Sequence, residues 1–290
     1  MSVIGNTQPS ISIPETTTRF LEPRGSADGR LRYLTGGNGA PLVLLHTVRT
    51  QAEHFRHLIP LVQDRYTVYA LDLPGMGHSQ IVPGASYEEP ALRAAVKEFI
   101  TRLDLRDVIL LGESMGGVLA LTTAADLPDR IRRVVAINVY DYAGGIMRSG
   151  FLARCIITGV LAPGVGPLLA KLEPRPIMRA VLHGGLVDKA ALRDDYLDEL
   201  LKVGRRPGYS TVARSVYGSL PSLIAARSRY GEIKVPIDLV YGEKDWSRPS
   251  DRRANARLLP SARFTEVPNA GHFIALEKPH VPAHLLNQAA

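Results

Sequence analysis

Apolar positions along this chain cluster in two different rhythms, and the rhythms predict two kinds of element. Residues 42–45, 67–71, 108–111, 134–137, 237–240 and 264–267 are short apolar runs bounded by Gly, Pro, Asp or Asn. Runs of that length without alternation suit strands that are covered on both faces. Between them, residues 51–62, 89–103, 115–127, 251–259 and 279–286 read as helices. In the second of these, Leu92, Ala95, Val96, Phe99, Ile100 and Leu103 recur at intervals of three and four and mark one buried face. Ahead of the first apolar run, alternating residues at 17–21 and 30–34 flank Gly25, Ser26, Ala27, Asp28 and Gly29, which predicts an edge hairpin.

Strands alternating with helices predict an α/β fold with a mostly parallel, doubly wound sheet. The alternation fails once. From 142 to 232 there is no strand pattern, only helical stretches broken by Gly and Pro, and the strand–helix rhythm resumes at Pro236. The expected organisation is a flexible leader at 1–15, a core made of 16–141 and 233–290, and a helical insertion at 142–232. The most apolar window, 156–170, is too short to span a membrane and is interrupted by Gly159, Pro163, Gly164, Gly166 and Pro167. It reads as a buried or pocket-lining segment.

Composition narrows the classes. A chain of 290 residues that is 45% hydrophobic and 22% charged is not disordered throughout. The single cysteine, Cys155, can form neither an internal bridge nor a zinc cluster, so no metal is expected. The net charge of +7 is uneven, because residues 142–232 hold 13 basic and 7 acidic side chains. No basic run is interleaved with aromatics, which argues against nucleic acid and favours a small, anionic substrate or a weak attraction to acidic surfaces. Residues 1–18 lack a charged region followed by an apolar stretch, so a cytoplasmic location is expected.

The sharpest local signal is Gly112-Glu113-Ser114-Met115-Gly116-Gly117, set between an apolar run and a helical pattern. A nucleophile on a tight strand-to-helix turn needs a strained backbone, and glycines two residues before and after it let the neighbouring chain approach. The turn also aims the amide of Met115 and the positive helix end at a developing oxyanion. A serine hydroxyl needs a base, and a base needs an orienting carboxylate. His272 follows the run at 264–267, and Asp245 follows the run at 237–240, so both belong to the carboxyl edge of the sheet. Asp141, beyond the run at 134–137, is the alternative carboxylate. His54 and His57 fall on the polar side of a predicted helix, and His78 falls in a loop.

With Leu44-Leu45-His46, Asp72-Leu73-Pro74-Gly75-Met76-Gly77-His78-Ser79, the Gly112–Gly117 elbow, Gly242-x-x-Asp245 and Gly271-His272 in order, the chain resembles the α/β-hydrolase superfamily. The resemblance is to the type with a helical cap inserted after the sixth strand, and it covers nearly all of the chain from about Thr17. It implies Ser114 as nucleophile, His272 as general base and then acid, and Asp245 as the orienting acid. It further implies an oxyanion hole made by the amides of Met115 and Val48, and no cofactor. The usual His-Gly after the third strand is His46-Thr47 here, and Arg49 follows close by. His46, Thr47, Arg49 and Trp246 are therefore expected at the substrate, with Arg49 free to pair with a carboxylate or phosphate.

A serine at position 114 sets this chain apart from the related dehalogenases and epoxide hydrolases, which use aspartate there. The expected activity is hydrolysis of a carboxylic ester, thioester or lactone of a small molecule through an acyl-enzyme. Carbon–carbon hydrolysis of the meta-cleavage type, cofactor-free perhydrolysis and a non-catalytic small-molecule receptor are the alternatives.

Overall fold

The computed structural model describes residues 9–25, 28–148 and 150–288. Residues 1–8 of the expected leader and the turn residues Ser26 and Ala27 lie outside them. The strands are β1 (Thr16–Leu21), β2 (Leu31–Gly36), β3 (Ala40–Leu45), β4 (Tyr66–Leu71), β5 (Val108–Glu113), β6 (Ile131–Ile137), β7 (Ile237–Gly242) and β8 (Arg263–Val267). They form one sheet in the order β1-β2-β4-β3-β5-β6-β7-β8. β1 pairs antiparallel with β2 and β2 with β4, which gives the expected edge hairpin. From β4 through β8 every pairing is parallel.

Burial explains why these runs lack alternation. All six residues of β5 and of β7 are buried, because apolar layers cover both faces of the sheet. On one face, α1 (Glu89–Arg102) and α2 (Met115–Asp126) join a core that includes Val43, Leu110 and Phe99. On the other, Leu44, Leu111 and Val240 pack with Phe55, Ile274 and Leu286. The first ten residues of α2 are all buried, as their lack of charge requires.

The helix expected at 51–62 is instead two short 3₁₀ turns, Ala52–Phe55 and Ile59–Leu61. Pro60 lacks an amide hydrogen, and it sits in the first turn of the second piece rather than inside a continuous helix. Between β6 and β7 the described residues form no strand. They build α3 (Phe151–Leu161), α4 (Gly166–Leu169), α5 (Arg175–His183), α6 (Asp194–Gly204), α7 (Tyr209–Gly218) and α8 (Leu220–Ala225). The window at 156–170 is only half buried: Ile157, Val160 and Ala170 face inward, whereas Leu161, Val165, Leu168 and Leu169 are exposed. After β7, α9 (Pro249–Leu258), α10 (Ile274–Glu277) and α11 (His280–Asn287) complete the chain. Among the described residues no helix is long and apolar enough to cross a membrane.

Candidate active site

Strand order reverses about β3, whose neighbours are β4 and β5, and the loops at the carboxyl ends of the parallel strands β3, β5 and β7 lie along one edge of the sheet. Ser114 follows β5 directly, with φ 60° and ψ −116°, a conformation that an L residue holds only under constraint. The constraint is visible. The Ser114 amide donates to the Ile137 carbonyl at 2.8 Å, and the Ser114 carbonyl accepts from Gly117 and Val118 as α2 begins. A Cβ on Gly112 would run into the Gly116 carbonyl, and one on Gly116 would run into the Leu45 carbonyl. Glycine at both positions is thus a packing requirement of the turn.

The structure brings His272 and Asp245 to this serine. The Ser114 hydroxyl donates to Nε2 of His272 at 2.9 Å, and Nδ1 of His272 donates to Oδ1 of Asp245 at 2.5 Å. These partners assign the tautomer, with the imidazole lone pair aimed at the hydroxyl. Ser114 and His272 have no solvent exposure. Burial alone would raise the Asp245 pKa. The charge and hydrogen bond of His272, joined by the Ser247 amide and hydroxyl, outweigh it and hold the carboxyl below its ordinary range.

Asp141 is used elsewhere. Its carboxylate accepts from the Tyr230 hydroxyl at 2.8 Å and from the Asn255 side chain, and burial pushes its pKa up to about 6 against these partners and Arg227.

Three side chains that sequence reasoning did not single out hold the constellation. Asn138, at φ 45° just past β6, donates through Nδ2 to the carbonyls of Gly271 and His272 and accepts from the Gly242 amide, so it ties the two loops together. Ser247 caps the second oxygen of Asp245. Glu113, beside the nucleophile, is buried and bonded to the His54 imidazole and to the Ala275 amide. His54 is therefore a core residue and does not lie on a polar helix face. Only Ser247 carried a local signal, a serine two residues after an aspartate in a turn.

The residues expected at the substrate divide. His46 is fully buried: its Nε2 accepts from the Leu73 amide at 3.0 Å and its Nδ1 faces the Thr47 carbonyl at 2.8 Å. Burial lowers its pKa to about 4. With both nitrogens facing backbone groups, His46 braces the loop after β3. Trp246 also has another task. Its ring stacks on the His272 imidazole at 3.7 Å, and its indole N–H donates to the Gly184 carbonyl at 3.0 Å.

Arg49 departs furthest from expectation. Its Nε donates to Glu173 at 2.8 Å, a second bond makes the pair bidentate, and the Tyr209 hydroxyl and Leu200 carbonyl lie within 3.4 Å. A buried guanidinium requires neutralisation, and a carboxylate from the insertion supplies it. The basis for an anionic substrate at Arg49 is thereby removed. Val48 and Met115 are both buried beside this loop. The Thr47 hydroxyl is buried without a hydrogen-bond partner among the described residues. Among the described residues no cluster of His, Cys, Asp and Glu could hold a metal.

This geometry can be set beside known proteins. A family model described as "Alpha/beta hydrolase family" matches residues 42–284. Haloalkane dehalogenase 2 of Mycobacterium tuberculosis is 26% identical over 267 residues, which cover 88% of this chain and 89% of that protein. The sn-1-specific diacylglycerol lipase of Mus musculus is 25% identical over 241 residues, 82% of this chain and 76% of that one. The crystal structure of a haloalkane dehalogenase from Bradyrhizobium elkani shares the fold, with a TM-score of 0.77, 18% identity, and coverage of 93% of this chain and 96% of that one.

Proposed function

The chain belongs to the alpha/beta hydrolase family and is a hydrolase; from that premise we propose that it cleaves a carboxylic ester of a small molecule through Ser114, His272 and Asp245. The observation that carries this reading is the pair of hydrogen bonds on one imidazole, 2.9 Å to Ser114 and 2.5 Å to Asp245. Ser114 Oγ attacks the acyl carbon while His272 Nε2 takes its proton, and Asp245 stabilises the imidazolium that results. His272 then protonates the departing alcohol. Water, activated by the same nitrogen, attacks the acyl-enzyme and frees Ser114. The Met115 and Val48 amides, with the unpartnered Thr47 hydroxyl, are the donors offered to the oxyanion.

Serine chemistry separates this reading from the dehalogenase relative. Displacement of a halide by a serine hydroxyl would leave an ether, which water cannot release, whereas an acyl group on serine is an ester that it can. Residues 142–232 act as a cap over the site: the Gly185 carbonyl accepts from the His272 amide at 2.6 Å, and Glu173 holds Arg49. Because Ser114 has no exposure, substrate enters when this cap shifts.

The test is labelling by a fluorophosphonate and turnover of short-chain nitrophenyl esters by the parent and by Ser114→Ala. Labelling and turnover in the parent alone are expected. No labelling of the parent would favour a small-molecule receptor. Cleavage of a vinylogous diketone without ester turnover would favour carbon–carbon hydrolysis, and peracid formation would favour perhydrolysis.

A further inference from the structure

Large apolar side chains are rarely exposed in a contiguous group unless something covers them. Seven of the eleven exposed large hydrophobic side chains recorded for the described residues fall between positions 151 and 172. Phe151 is 80% exposed, Leu168 63%, Leu172 60% and Val165 57%. The charges carried by this stretch of the sequence are of one sign. From Tyr142 to Leu172 the sequence has no Asp or Glu, but it has Arg148, Arg154 and Lys171. Arg154 and Lys171 are exposed and make no ion pair among the described residues. Elsewhere in the insertion basic side chains are commonly matched, as Arg175 and Arg179 are by Asp194.

We propose that the α3–α4 face docks on an anionic phospholipid surface. An apolar face with exposed, unpaired cations, whose adjoining acid Glu173 is already neutralised by Arg49, is complementary to acyl chains beneath negatively charged headgroups. A second copy of the chain fits the same face poorly. A two-fold contact through it would bring the Arg154 and Lys171 side chains of both copies together with no acid in the patch to pair them.

The patch is also continuous with the interior. Leu169 and Leu172 line a cavity of about 50 Å³ together with Ile156, Val160, Met178 and Glu173. Glu173 in turn holds Arg49, next to Val48 in the loop after β3. On the reading of Ser114 as an acyl-transfer nucleophile, on which this step rests, the substrate class is a poorly water-soluble ester whose apolar chain passes from the lipid surface into this cavity.

Co-sedimentation of the full chain with phosphatidylglycerol-containing vesicles and with pure phosphatidylcholine vesicles tests the docking. Salt-sensitive binding to the first and little to the second is expected. Val165→Asp with Leu168→Asp, and separately Arg154→Glu with Lys171→Glu, should each weaken binding by on the order of tenfold or more. Leu258→Asp, on an exposed leucine outside the insertion, should not. Absence of vesicle binding by the parent overturns the proposal, as does an equal loss in Leu258→Asp. So does a parent dimer that these variants dissociate without any effect on lipid binding. Nitrophenyl acetate turnover, measured on the same samples, separates the two readings. Its absence in the parent removes the esterase reading and leaves the vesicle result intact. Unchanged turnover in the patch variants shows that their lipid defect is not misfolding. A long-chain nitrophenyl ester presented in the anionic vesicles should then be hydrolysed at least about tenfold more slowly by the Val165/Leu168 double variant.

Discussion

Asp245 and Asp141 lie just past the carboxyl ends of the neighbouring strands β7 and β6, and both carboxylates are buried, yet their surroundings drive them in opposite directions. Asp245 faces an imidazole and the two donors of Ser247, and it is held below the ordinary carboxylate range. Asp141 faces a phenol and an amide, with Arg227 no closer than 3.7 Å, and burial prevails to raise it to about 6. Desolvation is the largest single influence on each. What differs is whether a chargeable partner sits in direct contact, and that decides which carboxylate can support an imidazolium.

The largest expected effect sets the scale for this contrast. Ser114→Ala should lower kcat by about 10⁶-fold, and a much smaller loss would mean that the hydroxyl is not the nucleophile. Next comes the contrast itself. Asp245→Asn should reduce kcat by about 10⁴-fold with the fold retained, whereas Asp141→Asn should stay within about threefold. Comparable losses in the two would break the comparison.

The two carboxylates should also leave opposite marks on stability. With its folded pKa raised, native Asp141 keeps a proton that the unfolded chain has already released. Stability therefore falls as pH rises from the ordinary value of 3.8 to about 6. Between pH about 4 and about 7, urea unfolding should find Asp141→Asn gaining on the parent by on the order of 3 kcal/mol. Asp245 has a lowered pKa, so its contribution is present above 3.8 and is lost as pH falls through the folded value. As pH falls over the acid limb the parent gives up this contribution, so Asp245→Asn should close the gap on the parent, the reverse of the Asp141→Asn trend; gaps that move in the same direction with pH in both variants would sink the assignment.

The smallest effect concerns one of two unpartnered buried oxygens. Asn255 Oδ1, on the side chain bonded to Asp141, and the Thr47 hydroxyl, in the loop after β3, are both buried without partners among the described residues. If only the second meets the reacting oxygen, Thr47→Val should lower kcat about tenfold at unchanged KM. A rise in KM alone would instead assign Thr47 to ground-state binding.

Much of the site was legible because turn chemistry is local. Glycines 112 and 116 announced a close approach that the structure supplies from the Gly116 and Leu45 carbonyls. Positions after apolar runs named Ser114, Asp245 and His272 as neighbours at one sheet edge. The roles of Arg49, Trp246, His54 and Asn138 were not legible. Each depends on a partner more than fifty residues away, Glu173 for Arg49 and the carbonyls of Gly271 and His272 for Asn138, and nothing in the local pattern names that partner. Exposure at 156–170 was missed for the same kind of reason. An apolar helix reads alike whether its second face meets a core or solvent.

The order of apolar runs, the glycines and the serine of the elbow, and the uneven charge were set by the sequence alone, because each acts through backbone sterics or counting within a short stretch. The tertiary structure decided which carboxylate reached the imidazole, that Arg49 was neutralised, and that seven apolar side chains of the insertion were left uncovered. Those outcomes follow from which surfaces meet when the sheet and the insertion pack. Partner identity, burial and charge balance are properties of that meeting and of no single segment.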